Sequence, residues 1–165
     1  MDMILSIFWA VIAAVAPAQE APSPPSVEVG DWTVAPEGEQ RCHMLGSFGD
    51  NVISIAADRA GNGNLAFFST GPRLENTRYA ARYSWDGWKT ETSTTMIPLN
   101  LARGGKLSRV LATGIRSDFL TNLARSKHFW LRIPDIGFDE DLEIPDAGRI
   151  LAALGDCVRA IDTTP

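Results

Sequence analysis

The stretch His128–Ile144, HFWLRIPDIGFDEDLEI, decides the fold. Two runs of alternating apolar and polar residues flank the turn cluster Pro134-Asp135-Ile136-Gly137, and alternation with period two marks half-buried strands. With Ile133 opposite Phe138, Phe129 falls opposite Leu142 on one face. On the other face Arg132 meets Asp139 and His128 meets Glu143, so opposite charges face each other where the strand is solvated. The register thereby checks itself. Glu140 breaks the pattern: it falls opposite Leu131 on the apolar face, and nothing in the sequence accounts for it.

The same grammar extends in both directions. Asp146 caps a final helix, Ala147 to Ile161, in which Ile150, Leu151, Leu154, Cys157, Val158 and Ile161 form one apolar stripe of helical period. Upstream, Ser117 is read as the N-cap of a short helix, Asp118 to Arg125, with Phe119, Leu120 and Leu123 on one side. Leu107 to Ile115 reads as a strand following the Gly104-Gly105 turn. Tyr79 to Pro98 reads as a hairpin about Asp86-Gly87, a two-residue type I′ signal. That turn sets Trp85 opposite Trp88, Tyr83 opposite Thr90, Ser84 opposite Lys89 and Arg82 opposite Glu91. Asn51–Ala56 and Asn64–Ser69 form an antiparallel pair around the Gly61-Asn62-Gly63-Asn64 turn. Arg41–Leu45 is a short strand, and Val27–Val34 a strand with a bulge at Gly30-Asp31 that re-aims Trp32. The expected fold is a β-dominated α+β domain: an antiparallel, β-sandwich-like pair of sheets, a short helix before the last hairpin, and a C-terminal helix packed across an edge.

Three segments precede or make up the domain. Ile4–Ala16 is an uninterrupted apolar run ending in Ala16-Pro17-Ala18, which reads as a signal peptide over residues 1–18, cleaved after Ala18. The run is shorter than the ~20 apolar residues a membrane span needs. Its leading Met-Asp-Met carries no Lys or Arg, which keeps an uncleaved anchor open as the alternative. Residues 19–26 (QEAPSPPS) are a Pro-rich linker, and residues 27–165 a single β-rich domain large enough to fold without a metal. A formal charge of −5 with no basic block argues against nucleic acid as the partner. It argues equally against attraction to an anionic lipid surface.

Each candidate site is weighed against its plainest reading. Cys42 and Cys157 are the two cysteines of a chain read as exported, and an even pair in an oxidising compartment reads as a disulfide. No catalytic or metal-binding constellation stands out: His43 and His128 lack ligand spacing, and Asp139-Glu140-Asp141-Leu142-Glu143 alternates on a strand where calcium loops need a Gly-centred turn. No cofactor motif is present, and neither the G-x-S-x-G elbow nor a phosphate-binding glycine loop occurs. Tyr79, Tyr83, Trp85 and Trp88 make an aromatic row on one face of the first hairpin, continued by Thr90, Thr92 and Thr94. Half of a sheet core is the plain reading of that row. A binding surface for a protein, glycan or lipid partner, formed by Tyr79, Tyr83, Trp85, Trp88 and Thr90, is the functional one. The chain therefore reads as an exported, non-enzymatic binding protein. An exported enzyme inhibitor is a special case, and a thiol or hydrolytic enzyme using Cys42 and His43 is the rival.

Two stretches resemble the invasion-associated locus B family of Gram-negative envelope proteins: Val29-Gly30-Asp31-Trp32-Thr33-Val34 followed by Cys42 and Met44, and the run from Phe119 through the last hairpin to the final helix. The chain departs from that family in having no mid-chain cysteine pair, and in Pro145-Asp146-Ala147-Gly148 where a Ser-Leu-x-Gly-Phe run often opens the last helix. The resemblance implies a periplasmic or surface β-sandwich-like protein tied to host association or envelope fitness. It brings no catalytic residues.

Overall fold

A computed structural model describes residues 25–71, 74–86, 91–99 and 109–161. The leader, most of the linker, Trp88 and Thr90 lie outside these. Ten strands form one antiparallel sheet: β1 (Val27–Val29), β2 (Trp32–Glu37), β3 (Arg41–Phe48), β4 (Asn51–Ala57), β5 (Gly63–Ser69), β6 (Tyr79–Trp85), β7 (Thr92–Pro98), β8 (Arg109–Ile115), β9 (His128–Ile133) and β10 (Phe138–Glu143). Their order across the sheet is β1-β2-β3-β4-β5-β8-β7-β6-β9-β10, and the sheet curls into a half-barrel. Helices α1 (Ser117–Arg125) and α2 (Ala147–Ile161) complete the β-dominated α+β fold expected from the sequence.

The two expected sheets are the two arms of this one sheet. They join at β7, which pairs with β6 from Tyr79↔Met96 to Tyr83↔Thr92 but with β8 only at Ile97↔Ala112 and Pro98↔Leu111. Where β7 and β8 diverge, the Thr94 and Thr113 hydroxyls bond to each other at 2.8 Å. The curl brings non-neighbouring strands face to face: the rings of Phe67 on β5 and Phe138 on β10 lie 4.3 Å apart, centroid to centroid. Inward-facing residues of both arms, with the stripe of α2 and with Phe119 and Leu123 of α1, make one continuous core. Alternation along each strand is what feeds it.

The last hairpin has the expected register at every position, including Phe138↔Ile133, Asp139↔Arg132 and Leu142↔Phe129. A 3₁₀ turn over Pro134–Ile136 closes it, with Gly137 at φ 70°. Glu140 does face the core side opposite Leu131, yet it is exposed. Strand β10 is the sheet's edge, where an inward-pointing charge discourages pairing with another chain. That role resolves the break in the pattern.

Three local expectations are corrected. Gly30-Asp31 is a two-residue hairpin turn between β1 and β2, with Val29 opposite Trp32, and no bulge. Gly30 sits at φ 60° and Asp31 stays at negative φ, the arrangement of a type II′ turn with Gly first. In the first hairpin Tyr83 pairs with Thr92, two residues beyond the expected Thr90, and Arg82 lies opposite Ser93. The Arg82–Glu91 ion pair survives as a diagonal contact of 3.2 Å. Ser117 is the first residue of α1, whose start has no side-chain cap. At α2, by contrast, the Asp146 carbonyl accepts the Ile150 N–H at 3.0 Å, as a residue at the capping position should.

Candidate functional site

The aromatic row divides along the length of β6. Tyr79 is buried at 3 % exposure beside Met96, and its hydroxyl accepts the Asn76 N–H at 3.0 Å. It therefore belongs to the core and offers no surface, because its depth on the strand places it beneath the curl of the sheet. Tyr83 and Trp85, nearer the open end, are half-buried. Trp85 packs edge-on against Phe119 at 4.7 Å and in a tilted arrangement against Phe129 at 4.9 Å, while Tyr83 lies 5.3 Å from Phe119. Helix α1 brings Phe119 there: its apolar residues Phe119 and Leu123, four apart, share the face turned to the sheet. Burial pushes the Tyr83 phenol up, the Asp118 carboxylate adds to that, and a hydrogen bond with Thr92 offsets part of it.

Asp86 explains why the hairpin departs from the local signal. Its carboxylate accepts the backbone N–H groups of Lys127 at 2.9 Å and His128 at 3.2 Å, while its own N–H donates to the His128 carbonyl. Held this way at φ 46°, it ties the end of β6 to the start of β9. Partial burial pushes its carboxyl up, but the Lys127 and His128 N–H groups outweigh this and hold it below the usual carboxylate range. A depressed carboxyl stabilises the fold above the unfolded value of about 3.9, and that contribution is lost as pH falls through the folded value. We expect Asp86→Ala to cost about 1 kcal/mol near neutral pH, at the low end because the carboxylate stays solvated. Urea denaturation from acid to neutral pH should show the gap between variant and parent closing at the acid end. A gap independent of pH would overturn this account.

Beside Trp85 the surface opens into a recess of about 340 Å³ lined by Trp85, Asp86, Thr92, Asn122, Arg125 and Ser126. Sequence reasoning missed Asn122, Arg125 and Ser126, because they reach the hairpin only when the C-terminal end of α1 packs across it. An indole thus sits beside two hydroxyls, an amide, a guanidinium and a carboxylate.

The other sequence candidates are placed elsewhere. Cys42 and Cys157 form a disulfide with their Cα atoms 6.1 Å apart, so α2 is tied to β3. His43 pairs with Ala35 and Ala56 on the outward face of β3, opposite in direction to Cys42, so the two do not form a thiol–imidazole pair. His128 finds Asp141, at 3.0 Å, where Glu143 was expected, and stacks on Trp130. Asp139 bonds the Arg132 Nε at 2.9 Å, so the acidic strand faces cations across the hairpin. Among the described residues no group of three His, Cys, Asp or Glu side chains is placed to hold a metal ion. No described helix is long and apolar enough to cross a membrane.

No family model, curated protein or solved structure matches the chain.

Proposed function

We propose that this protein is an exported, non-enzymatic envelope protein that binds a glycan at the open end of its aromatic hairpin. The recess beside Trp85 carries this reading. It joins an aromatic ring, whose face suits the C–H face of a sugar, to Thr92, Asn122 and Arg125, which supply hydrogen-bonding groups around it. Those groups suit hydroxyls and acidic sugars better than an acyl chain. The disulfide supports export, since such bonds persist in oxidising compartments. The leader and the resemblance to invasion-associated locus B proteins point to the same periplasmic or cell-surface setting. Against the rival thiol enzyme stands the bonding of Cys42 to Cys157, which removes the nucleophile.

The test is titration of peptidoglycan fragments and lipopolysaccharide core oligosaccharides into the disulfide-bonded protein, followed by NMR. Binding should shift the Trp85 indole and Asn122 amide signals. Arg125→Ala and Asn122→Ala, at exposed positions, should each weaken it about tenfold, which corresponds to one lost polar contact of ~1.4 kcal/mol. Shifts that cluster elsewhere, or variants that bind like the parent, would remove the hairpin end as the site.

A further inference from the structure

A second cleft, on the far side of α1 from the hairpin recess, has different chemistry. It lies between α1, α2 and the β4–β5 turn and encloses about 530 Å³. Its walls are Leu120 from α1 and Leu151, Leu154 and Val158 from α2, with Ala57 at the end of β4. Leu120 and Leu151 are only half-buried, so the core stripe of α2 spills into the cleft instead of being sealed beneath it. Gly155 widens the gap. It lacks a side chain in mid-helix, where glycine is unfavourable relative to alanine, and a Cβ there would meet the Arg159 Nη1 at 3.4 Å.

Charge at the cleft is concentrated at one end. Arg59 and Arg159 both line it. Asp58 lines the same end and accepts the Asn62 N–H at 2.9 Å, so a carboxylate shares the cleft with the two guanidinium groups, and Arg59 is itself already engaged. Asp156 pairs with one Nη of Arg159, but a guanidinium carries five N–H donors in a planar fork suited to carboxylates. Past Arg59 the surface turns polar at Glu39 and Gln40, which ends the apolar path there.

We propose that this cleft is a binding site for a single-chain fatty carboxylate, with the alkyl chain between Leu120, Leu151, Leu154 and Val158 and the carboxylate at Arg59 and Arg159. Size and lining match small-ligand sites, which are mostly apolar with a few polar groups that fix orientation. A paired-chain phospholipid would need more room, and a peptide helix would need a longer groove than two short helices provide.

The experiment is calorimetric titration of dodecanoate, kept below its micelle concentration, into the disulfide-bonded protein, with dodecanol as the uncharged arm. Dodecanoate should bind at one site and at least about tenfold more tightly than dodecanol. Gly155→Leu should abolish binding by filling the cleft, and because leucine favours helix its melting temperature should not fall. Arg59→Ala with Arg159→Ala should bring dodecanoate down to the affinity of dodecanol. No saturable binding, or binding unchanged in Gly155→Leu, would overturn the site. Equal affinity for the acid and the alcohol in the parent protein would overturn the carboxylate assignment.

Discussion

Reducing the Cys42–Cys157 bond should lower the midpoint of thermal unfolding by roughly 10–20 °C. The bond closes a loop with a sequence separation of 115. A closure of that length removes about 4–5 kcal/mol of chain entropy from the unfolded ensemble. Little of the loss should come from the native contacts. Cys42 is fully buried and Cys157 nearly so, and a reduced thiol still packs as a small hydrophobe. Helix α2 keeps its stripe of Ile150, Leu154 and Val158 against β2 and β3. The effect therefore lives mainly in the unfolded state. Replacing both cysteines with alanine should give a similar drop. Replacing both with serine should give a larger one, because each buried hydroxyl left without a partner costs a further ~1–3 kcal/mol. Circular dichroism melts with and without reductant decide the matter. A shift of only a few degrees would mean that α2 is held by packing alone, and the argument from the disulfide to an oxidising compartment would lose its force.

The sequence revealed most where structure is local and period two is doubly marked. The β9–β10 register was legible because Phe129, Ile133, Phe138 and Leu142 set the apolar face while Arg132 and Asp139 independently set the polar one. The α2 stripe was legible for the same reason, with Cys157 riding on it. What failed was chemistry decided from a distance. Asp86-Gly87 carries a strong hairpin signal, yet Asp86 bonds Lys127 and His128, some forty residues on, and the register moves by two. Besides β7, the other neighbour of each of β8 and β6 lies far along the chain, so no local pattern could place β8 beside β5 or β6 beside β9. Both clefts have the same origin. Arg125 and Leu120 are ordinary residues of a short amphipathic helix, and they line sites only because α1 settles between the hairpin and α2.

Trp32→Ala should remove about 3–5 kcal/mol, a large share of the 5–15 kcal/mol that holds a domain of this kind together. Trp32 is 3 % exposed and meets Phe48 edge-on at 5.8 Å. It lies directly opposite Gly46 on β3, and a Cβ at Gly46 would sit 2.8 Å from the indole Cε2 and Cζ2. The strand thus leaves out a side chain so that the indole can lie flat against its backbone. Gly46→Ala should consequently cost about 1–3 kcal/mol through overpacking. In a Trp32→Phe background, which lacks the outer part of the indole, the same Gly46→Ala change should cost much less. That non-additivity, read from urea denaturation of the four proteins, is the signature of direct contact. Equal costs in both backgrounds would show that Gly46 is constrained by something other than the indole. The result bears on the Val29–Val34 stretch that carries the family resemblance. There Gly30 and Asp31 make the turn, Trp32 fills the core against Gly46, and Thr33 faces outward with its hydroxyl donating to Glu28 at 2.9 Å. Every residue of the motif is thereby accounted for by folding. Val29 and Val34 are buried in the core as well, so in this chain the whole stretch builds an edge hairpin around a buried tryptophan.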